Sequence, residues 1–225
     1  MKKYDWLLLD LDNTILDFNA SSKQAFFKIF NNLGEADYKL YRDFNHAVWL
    51  AFENGHITKD VLKVKRWSDF FEAIKIAADP QKTNDLYFDH IKMNPLFIEG
   101  AYQLILDLKR KYNLCIVTNG LSEVQNSRLQ LSGLKDRIEH IVISDTIGVA
   151  KPESAFFDYT FKLIGRPMLE DVLVIGDTLN SDIRGGIAYG VDTCWYNYYR
   201  EENETTYRAT YEVKNINGLR RLLLS

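Results

Sequence analysis

Two aspartates follow directly after an apolar segment near the N-terminus. The segment reads WLLLDLDNTILDF, in which four apolar residues lead into Asp10 and Asp12. An apolar segment of this length is expected to form a buried strand, and ionised carboxylates are costly to bury without a partner. Because successive strand residues point to opposite faces, Asp10 and Asp12 should project alike while Leu11 points into the core. The pair therefore predicts a site that contains a positively charged group.

Further polar residues follow later apolar segments. Thr118 and Asn119 come after CIV, Lys151 lies in GVAKPE, and Asp177 and Asp182 lie in GDTLNSD. Carboxylates brought close together raise one another's pKa unless a cation lies between them. A hard divalent cation prefers oxygen ligands, and Mg²⁺ with few protein ligands fits such a set best. We therefore predict Mg²⁺ as the cofactor.

These residue types are suited to phosphoryl transfer. One carboxylate would ligate the cation and attack phosphorus, and the second would act first as a general acid and then as a general base. Lys151 would neutralise the nucleophile and the transferring group, while the Thr118 hydroxyl would donate a hydrogen bond to a phosphoryl oxygen.

Short apolar segments alternate with segments of helical period over much of the chain. Strands are predicted at 6–12, 114–120, 138–145, 172–177 and 192–197, and helices at 122–133, 153–165 and 181–190. This alternation predicts an α/β fold with a doubly wound parallel sheet. Ligands of such folds bind at the carboxyl ends of the strands. The polar residues would then meet in one crevice.

Residues 18–95 interrupt this alternation with four helical segments and no strand. We predict a core domain of 1–17 and 96–225, with a helical cap domain of 18–95 inserted after the first strand. Aromatic residues at helical spacing usually pack in a core and sometimes stack on a ligand. The sequence does not separate these two roles for Phe44, His46, Trp49, Arg66 and Trp67. Near the C-terminus, 199–212 is predicted to be a surface loop and 216–225 a closing helix.

The composition limits the possible partners. The net charge of −3 comes from 28 basic and 31 acidic residues without large blocks of one sign, so a nucleic-acid polymer is not an expected partner. The apolar segments are too short to span a bilayer. Cys115 and Cys194 lie in apolar surroundings without metal-ligand spacing, which predicts reduced core thiols in a cytoplasmic protein. The four histidines show no zinc-ligand spacing.

The ordered motifs resemble those of the haloacid dehalogenase (HAD) superfamily, in its aspartate-nucleophile phosphatase branch. They are DLDNT, TNG, the lysine of KPE and GDTLNSD, and the match extends from the first strand to TCWYN. The resemblance implies a Rossmann-like core, and the insertion is similar to the helical cap of the first cap class. TNGLSEVQNSRLQLSGL and GDTLNSDIRGG resemble more narrowly the pyrimidine 5′-nucleotidases. KPES departs from the common Lys-Pro-Asp-Pro, from which we expect a shifted helix start and no loss of activity.

The resemblance implies a role for each motif residue. Asp10 is the nucleophile that becomes an aspartyl phosphate. Asp12 is the general acid/base and lends its backbone carbonyl to Mg²⁺. Asp177 is the third protein ligand of the metal. Asp182 acts through water or by orienting Lys151.

The resemblance also implies which residues of this chain bind the phosphoryl group. Thr118 and the backbone amides near Asn119 form the phosphoryl clamp, and Lys151 contributes to substrate binding.

In the helix after TNG, Gln125 and Asn126 are expected on a solvated face, while Arg128 is expected to face the cleft or to cap a neighbour.

The expected function is a Mg²⁺-dependent phosphomonoesterase that acts on a small phosphorylated metabolite, most consistently a pyrimidine nucleoside monophosphate. A phosphatase for another metabolite such as a sugar phosphate, or a phosphomutase, uses the same aspartate. A dehalogenase would need neither Asp12 nor a metal. A phospho-accepting receiver or a binding protein is the alternative of another class, although receivers lack a long helical insertion.

Overall fold

The structure is a computed structural model that describes residues 3–225 apart from the side chain of residue 53. Within these residues one sheet has six strands, all parallel, in the order β3-β2-β1-β4-β5-β6. The strands are β1 Trp6–Leu9, β2 Asn113–Thr118, β3 His140–Ile143, β4 Val172–Gly176, β5 Asp192–Tyr196 and β6 Tyr211–Val213.

Helices connect the strands. They are α1 Phe18–Ile29, α2 Glu35–Glu53, α3 Lys59–Ile74, α4 Pro80–Met93, α5 Ala101–Leu108, α6 Ser122–Leu131, the single turn α7 Ser144–Ile147, α8 Ser154–Leu163, α9 Arg184–Tyr189 and α10 Ile216–Leu224. A 3₁₀ turn at Leu169–Asp171 precedes β4, and a π-helical turn at Leu179–Ile183 leads into α9.

Both faces of the sheet are covered, because alternate residues of each strand enter different cores. In β1, Leu7 and Leu9 belong to the core that includes Leu104 of α5 and Leu219 of α10. Leu8 belongs to the opposite core with the phenylalanines of α8. The predicted doubly wound parallel sheet is thereby confirmed.

The strand order reverses between β1 and β4. Parallel pairing places Leu9 beside Ile175 of β4 and Ile116 of β2. In open α/β sheets, ligands bind outside the carboxyl ends of the strands at such a reversal. The residues that directly follow β1 and β4 therefore occupy the expected position of a site.

The observed elements differ from the predicted ones at several points, and the first predicted strand, 6–12, already ends at Leu9. The predicted strand 138–145 ends at Ile143, where the turn α7 begins. Helix α5 was not predicted. The end of the predicted loop 199–212 enters β6, a three-residue edge strand that pairs with β5. Pairing with a neighbour, which local hydrophobicity does not reveal, produces this strand.

The chain divides into two compact units. One comprises Met1–Phe18 and Pro95–Ser225, and the other comprises Asn19–Asn94. In the first unit the two segments that lead to and from the second are paired, since the Asp17 amide donates to the Leu96 carbonyl (2.8 Å). The function of the second unit as a cap stays a prediction.

Aromatic side chains form the core of the second unit. Tyr41 and Trp67 stack with ring centroids 4.3 Å apart, and Phe26, Phe70 and Tyr87 are fully buried around them. Arg66 is also fully buried, donates to Asn45 and Asn84, and lies 4.5 Å from the ring centroid of Phe88. Trp67 and Arg66 are therefore packing residues, whereas Phe44 and Trp49 are half-buried and His46 is exposed.

The prediction of buried core thiols is confirmed. Cys115 and Cys194 are free and buried, and burial raises the pKa of both thiols. Gly185 and Gly186 serve close packing, because an added Cβ would lie 2.7 Å from Phe157 and 2.5 Å from Thr193. Among the described residues, no helix combines the length and apolar character needed to cross a membrane.

Candidate active site

Asp10 is held at the carboxyl end of β1 by the sheet itself. Its amide donates to the Ile175 carbonyl at 2.8 Å, which continues the pairing of β1 with β4. The side chain is 6% exposed, so the carboxylate is almost entirely removed from solvent. Leu11 is fully buried in the core, as expected, although β1 ends at Leu9.

Lys151 supplies the positive charge that the buried carboxylate requires. Its Nζ lies 2.7 Å from Asp10 Oδ1 and 2.6 Å from Asp182 Oδ1, and it donates to the Val117 carbonyl at 2.8 Å. These three acceptors use all three donors of an ammonium group. With 1% exposure, the lysine is a buried ion-pair partner and not a surface residue.

Asn119 holds the backbone of Lys151 in place. Its Nδ2 donates to the Lys151 carbonyl and its Oδ1 accepts from the Lys151 amide, both at 2.9 Å. This reciprocal pair joins two loops that are 32 positions apart in sequence. The side chain of Asn119 therefore positions Lys151. Any contact of Asn119 with a phosphoryl group would come from backbone amides near it.

Three carboxylates converge beside Lys151. Asp10, Asp177 and Asp182 each offer one oxygen, and these oxygens all lie within 4.8 Å of one another. The donor set consists of carboxylate oxygens alone, which suits a hard divalent cation. The Asp12 side chain lies outside this set, so any metal contact of Asp12 would come from its backbone carbonyl, as the family resemblance implies.

Both oxygens of Asp182 accept hydrogen bonds from groups of the protein. One of its oxygens accepts from Lys151, and the other accepts from the Thr178 amide at 3.1 Å. Gly176 makes room for this carboxylate, since an added Cβ would lie 2.2 Å from Asp182 Cγ. The arrangement agrees with the expectation that Asp182 orients Lys151.

The buried charges shift the pKa values of the cluster. Burial raises the pKa of Asp10 from its usual 3.8 to about 7; Lys151 opposes the rise, and the charges of Asp182 and Asp12 add to it. Burial also raises the pKa of Asp177 well above its usual value, with contributions from Asp10 and Asp182. For Lys151, burial by itself lowers the pKa, but the two carboxylates outweigh burial and the pKa is raised.

This arrangement predicts a pH dependence of stability. Because the pKa of Asp10 is higher in the folded state, the Asp10 carboxyl is more protonated in the folded protein than in the unfolded chain between pH 3.8 and about 7. The contribution of Asp10 to the free energy of unfolding of the metal-free protein should therefore fall as the pH rises through this interval. Asp10→Asn removes this titration.

The measurement is the melting temperature in a chelating buffer from about pH 4 to about pH 8, for the wild type and Asp10→Asn. We expect the stability of the wild type relative to the variant to decrease with rising pH. A constant difference between the two proteins would show that Asp10 does not titrate in this interval.

Thr118 ends β2 with its hydroxyl oriented by two donors. Its Oγ1 accepts from the Gly120 amide at 3.2 Å and from Gln125 Nε2 at 2.9 Å. A hydroxyl has two acceptor lone pairs and one proton. Since both lone pairs are used, the hydroxyl of Thr118 can interact with a ligand only by donating its proton, which is the property required of a phosphoryl clamp.

The expectation that Gln125 lies on a solvated face is wrong. Gln125 is 1% exposed, and its Nε2 donates to Asp12 Oδ2 at 2.7 Å. Arg128 is fully buried and its Nη1 donates to Asp12 Oδ1 and to Gln125 Oε1 (2.9 Å), which agrees with an orientation toward the cleft. Asn126 is exposed, as expected.

The sequence contained a signal for these two residues. Val124 and Leu129 are buried on α6, and Gln125 and Arg128 lie next to them on the same helical face. Positions three and four residues apart share such a face, as do Val124 with Arg128 and Gln125 with Leu129. This signal is weak, because Leu131 of the same helix is exposed and the apolar residues of α6 therefore do not mark one face.

Comparisons with known proteins identify the family of this chain. The haloacid dehalogenase-like hydrolase family matches residues 4–190. YfnB of Bacillus subtilis, described as a HAD hydrolase, is 36% identical over 99% of this chain and 97% of its own. Its crystal structure bound to magnesium has a TM-score of 0.91, with 99% of each chain covered.

Two further relatives have names that state a substrate class. They are the pyrimidine 5′-nucleotidases YjjG of Escherichia coli and PynA of Streptococcus pneumoniae. YjjG is 32% identical over 98% of both chains, and PynA is 34% identical over 96% of this chain and 93% of its own. The match to the family over most of the chain excludes a receiver. This protein is a member of the haloacid dehalogenase-like hydrolase family.

Proposed function

We propose that this hydrolase is a Mg²⁺-dependent phosphomonoesterase that forms an aspartyl phosphate on Asp10. One observation carries the proposal: the buried Asp10 carboxylate pairs with Lys151 and lies beside Asp177, where the strand order of the sheet reverses. The crystal structure of YfnB bound to magnesium supports the choice of metal.

Asp10 and Asp177 would hold the cation with one carboxylate oxygen each, together with the backbone carbonyl of Asp12. When bound, Mg²⁺ would supply the positive charge that brings a phosphate dianion next to these carboxylates. Asp182 would contribute by orienting Lys151, from which one of its oxygens accepts a hydrogen bond while the other accepts from the Thr178 amide.

The reaction proceeds in two displacements at phosphorus. An oxygen of Asp10 attacks phosphorus, the phosphorus–oxygen bond of the ester breaks, and the leaving oxygen takes a proton from Asp12. In the second displacement Asp12 takes a proton from water, whose oxygen attacks phosphorus and releases Asp10 and inorganic phosphate. General acid/base catalysis of this kind contributes about 10²–10⁴-fold to the rate.

Lys151 and Thr118 stabilise the transferring group. The ammonium of Lys151 already touches Asp10 and is placed to neutralise charge that develops on the phosphoryl oxygens. The Thr118 hydroxyl, whose lone pairs are both occupied, donates its proton to one of these oxygens. Neither group needs to rearrange when the substrate arrives, which favours the transition state.

We further propose that the substrate is a pyrimidine nucleoside 5′-monophosphate and that the helical unit Asn19–Asn94 acts as the cap that selects it. The names of YjjG and PynA support the substrate class. Phe44 and Trp49 are half-buried aromatic residues of that unit and are available to stack on a base. Trp67 is excluded from this role because it is buried among other aromatic rings.

A comparison of substrates tests the proposal. We expect kcat/KM for thymidine and uridine monophosphates to exceed that for adenosine monophosphate, and a hexose phosphate to be hydrolysed weakly because it has no ring to stack. Trp49→Ala should reduce the preference for nucleotides while the hydrolysis of 4-nitrophenyl phosphate is retained. A clear preference for the hexose phosphate would exclude a nucleotidase and leave the phosphatase assignment in place.

A further inference from the structure

Helix α6 contributes two polar side chains to the site, and the family resemblance assigned a role to neither of them. We propose that Gln125 and Arg128 are positioning residues that hold the Asp12 carboxylate in the direction its acid–base role requires. This inference rests on the proposed function, because it concerns the residue that would protonate the leaving oxygen. The carrying observation is that each oxygen of Asp12 accepts a hydrogen bond from one of these two side chains.

Hydrogen bonds to its neighbours determine the orientation of the Gln125 amide. Its Nε2 donates to Asp12 Oδ2 (2.7 Å) and Thr118 Oγ1 (2.9 Å), and its Oε1 accepts from Arg128 Nη1 (2.9 Å). A flipped amide would place an acceptor against the Asp12 carboxylate, so one orientation is selected. One amide group thereby links the general acid/base to the phosphoryl clamp.

Arg128 is a buried cation whose described carboxylate partner is Asp12. The guanidinium is fully buried and its carbon lies 5.6 Å from the ring centroid of Phe18. Its Nε and Nη2 atoms find no hydrogen-bond partner among the described residues. A buried charge that is incompletely paired is costly to stability, so these contacts are poorly explained by stability alone.

The geometry also explains why Asp12 needs these partners. Asp12 is two residues from Asp10 and is partly exposed, and Lys151 lies against Asp10. An unrestrained carboxylate could turn toward Lys151 or the cation, where it could not reach a leaving oxygen. A misplacement of about 1 Å can reduce a rate by about 10²-fold. Two donors from one rigid helix prevent this rotation.

The test uses two aryl phosphates that differ in their need for an acid. 4-Nitrophenolate leaves without a proton, whereas phenolate leaves poorly unless it is protonated. We measure kcat/KM for 4-nitrophenyl phosphate and phenyl phosphate with the wild type, Arg128→Met and Gln125→Met. For Arg128→Met we expect a loss of about 10- to 100-fold on phenyl phosphate and less than about 3-fold on 4-nitrophenyl phosphate.

Gln125→Met should lower both values, because Thr118 also loses a donor, but phenyl phosphate should be affected more. The ratio of the two values does not depend on the fraction of folded enzyme, so instability of either variant cannot imitate the result. Asn126→Ala is the matched control, since Asn126 lies on the exposed face of the same helix and contacts the Ser122 carbonyl. Its ratio should equal that of the wild type.

Asp12→Asn separates failure of this inference from failure of the proposed function. If Asp12→Asn leaves the ratio unchanged, Asp12 is not the general acid and the proposed mechanism is wrong. If Asp12→Asn changes the ratio but both α6 variants lower the two substrates equally, the positioning role is overturned. In support of it, Arg128→Met should have little further effect on the ratio in the Asp12→Asn background, because the two residues act as one unit.

Discussion

Asp10→Asn is expected to reduce phosphate release to a trace while the fold is retained. An amide has the size of the carboxylate but cannot attack phosphorus to form the covalent intermediate. Lys151 keeps two of its three acceptors in the variant, namely Asp182 Oδ1 and the Val117 carbonyl. The loss of activity should therefore arise from chemistry and not from unfolding.

The measurement is phosphate release from 4-nitrophenyl phosphate and from uridine monophosphate, with the melting temperature as a check on folding. Asp5→Asn is a matched control, because Asp5 is an exposed aspartate at the opposite end of β1. The control should retain full activity. If purified Asp10→Asn hydrolysed either substrate at a substantial fraction of the wild-type rate, Asp10 would not be the nucleophile.

Removal of divalent cations is expected to abolish activity, and Mg²⁺ should restore it. Three carboxylates have oxygens within 4.8 Å of one another, and Lys151 is paired with two of them. Without a further cation this charge repels a phosphate dianion, which must approach Asp10 closely. Full activity in excess chelator would exclude a metal from the mechanism.

A magnesium titration of Asp177→Ala locates the metal. Because Asp177 offers a carboxylate oxygen to the cluster, its removal should raise the Mg²⁺ concentration needed for half-maximal activity. Asp171→Ala is the control, since Asp171 precedes β4 and so lies at the other end of the same strand. An unchanged requirement in Asp177→Ala would show that Asp177 is not a ligand.

The fold class and the order of the motif residues follow from the sequence because they depend on local patterns. An apolar run of strand length followed by polar residues recurs at β1, β2 and β4, and helical periods separate these runs. Parallel pairing then brings Asp10, Thr118 and Asp177 to one edge without further information. The resemblance to the HAD superfamily adds an expected role to each of these positions.

Residues that act through distant partners required the tertiary structure. The sequence shows an asparagine after β2, but only the folded chain shows that Asn119 clasps the backbone of Lys151. The edge strand β6 exists because β5 offers it free hydrogen-bonding groups, not because its three residues are strongly apolar.

Helix α6 shows the physical reason why some site residues follow from the sequence and others only from the tertiary structure. Its polar composition is typical of a solvated helix, and a sequence read in one dimension does not state which face the sheet covers. Packing turns Gln125 and Arg128 inward, where each donates to Asp12 across more than a hundred positions of sequence. Local periodicity therefore determined the elements and the strand-end residues, whereas the packing of α6 against the strand ends decided which side chains hold Asp12.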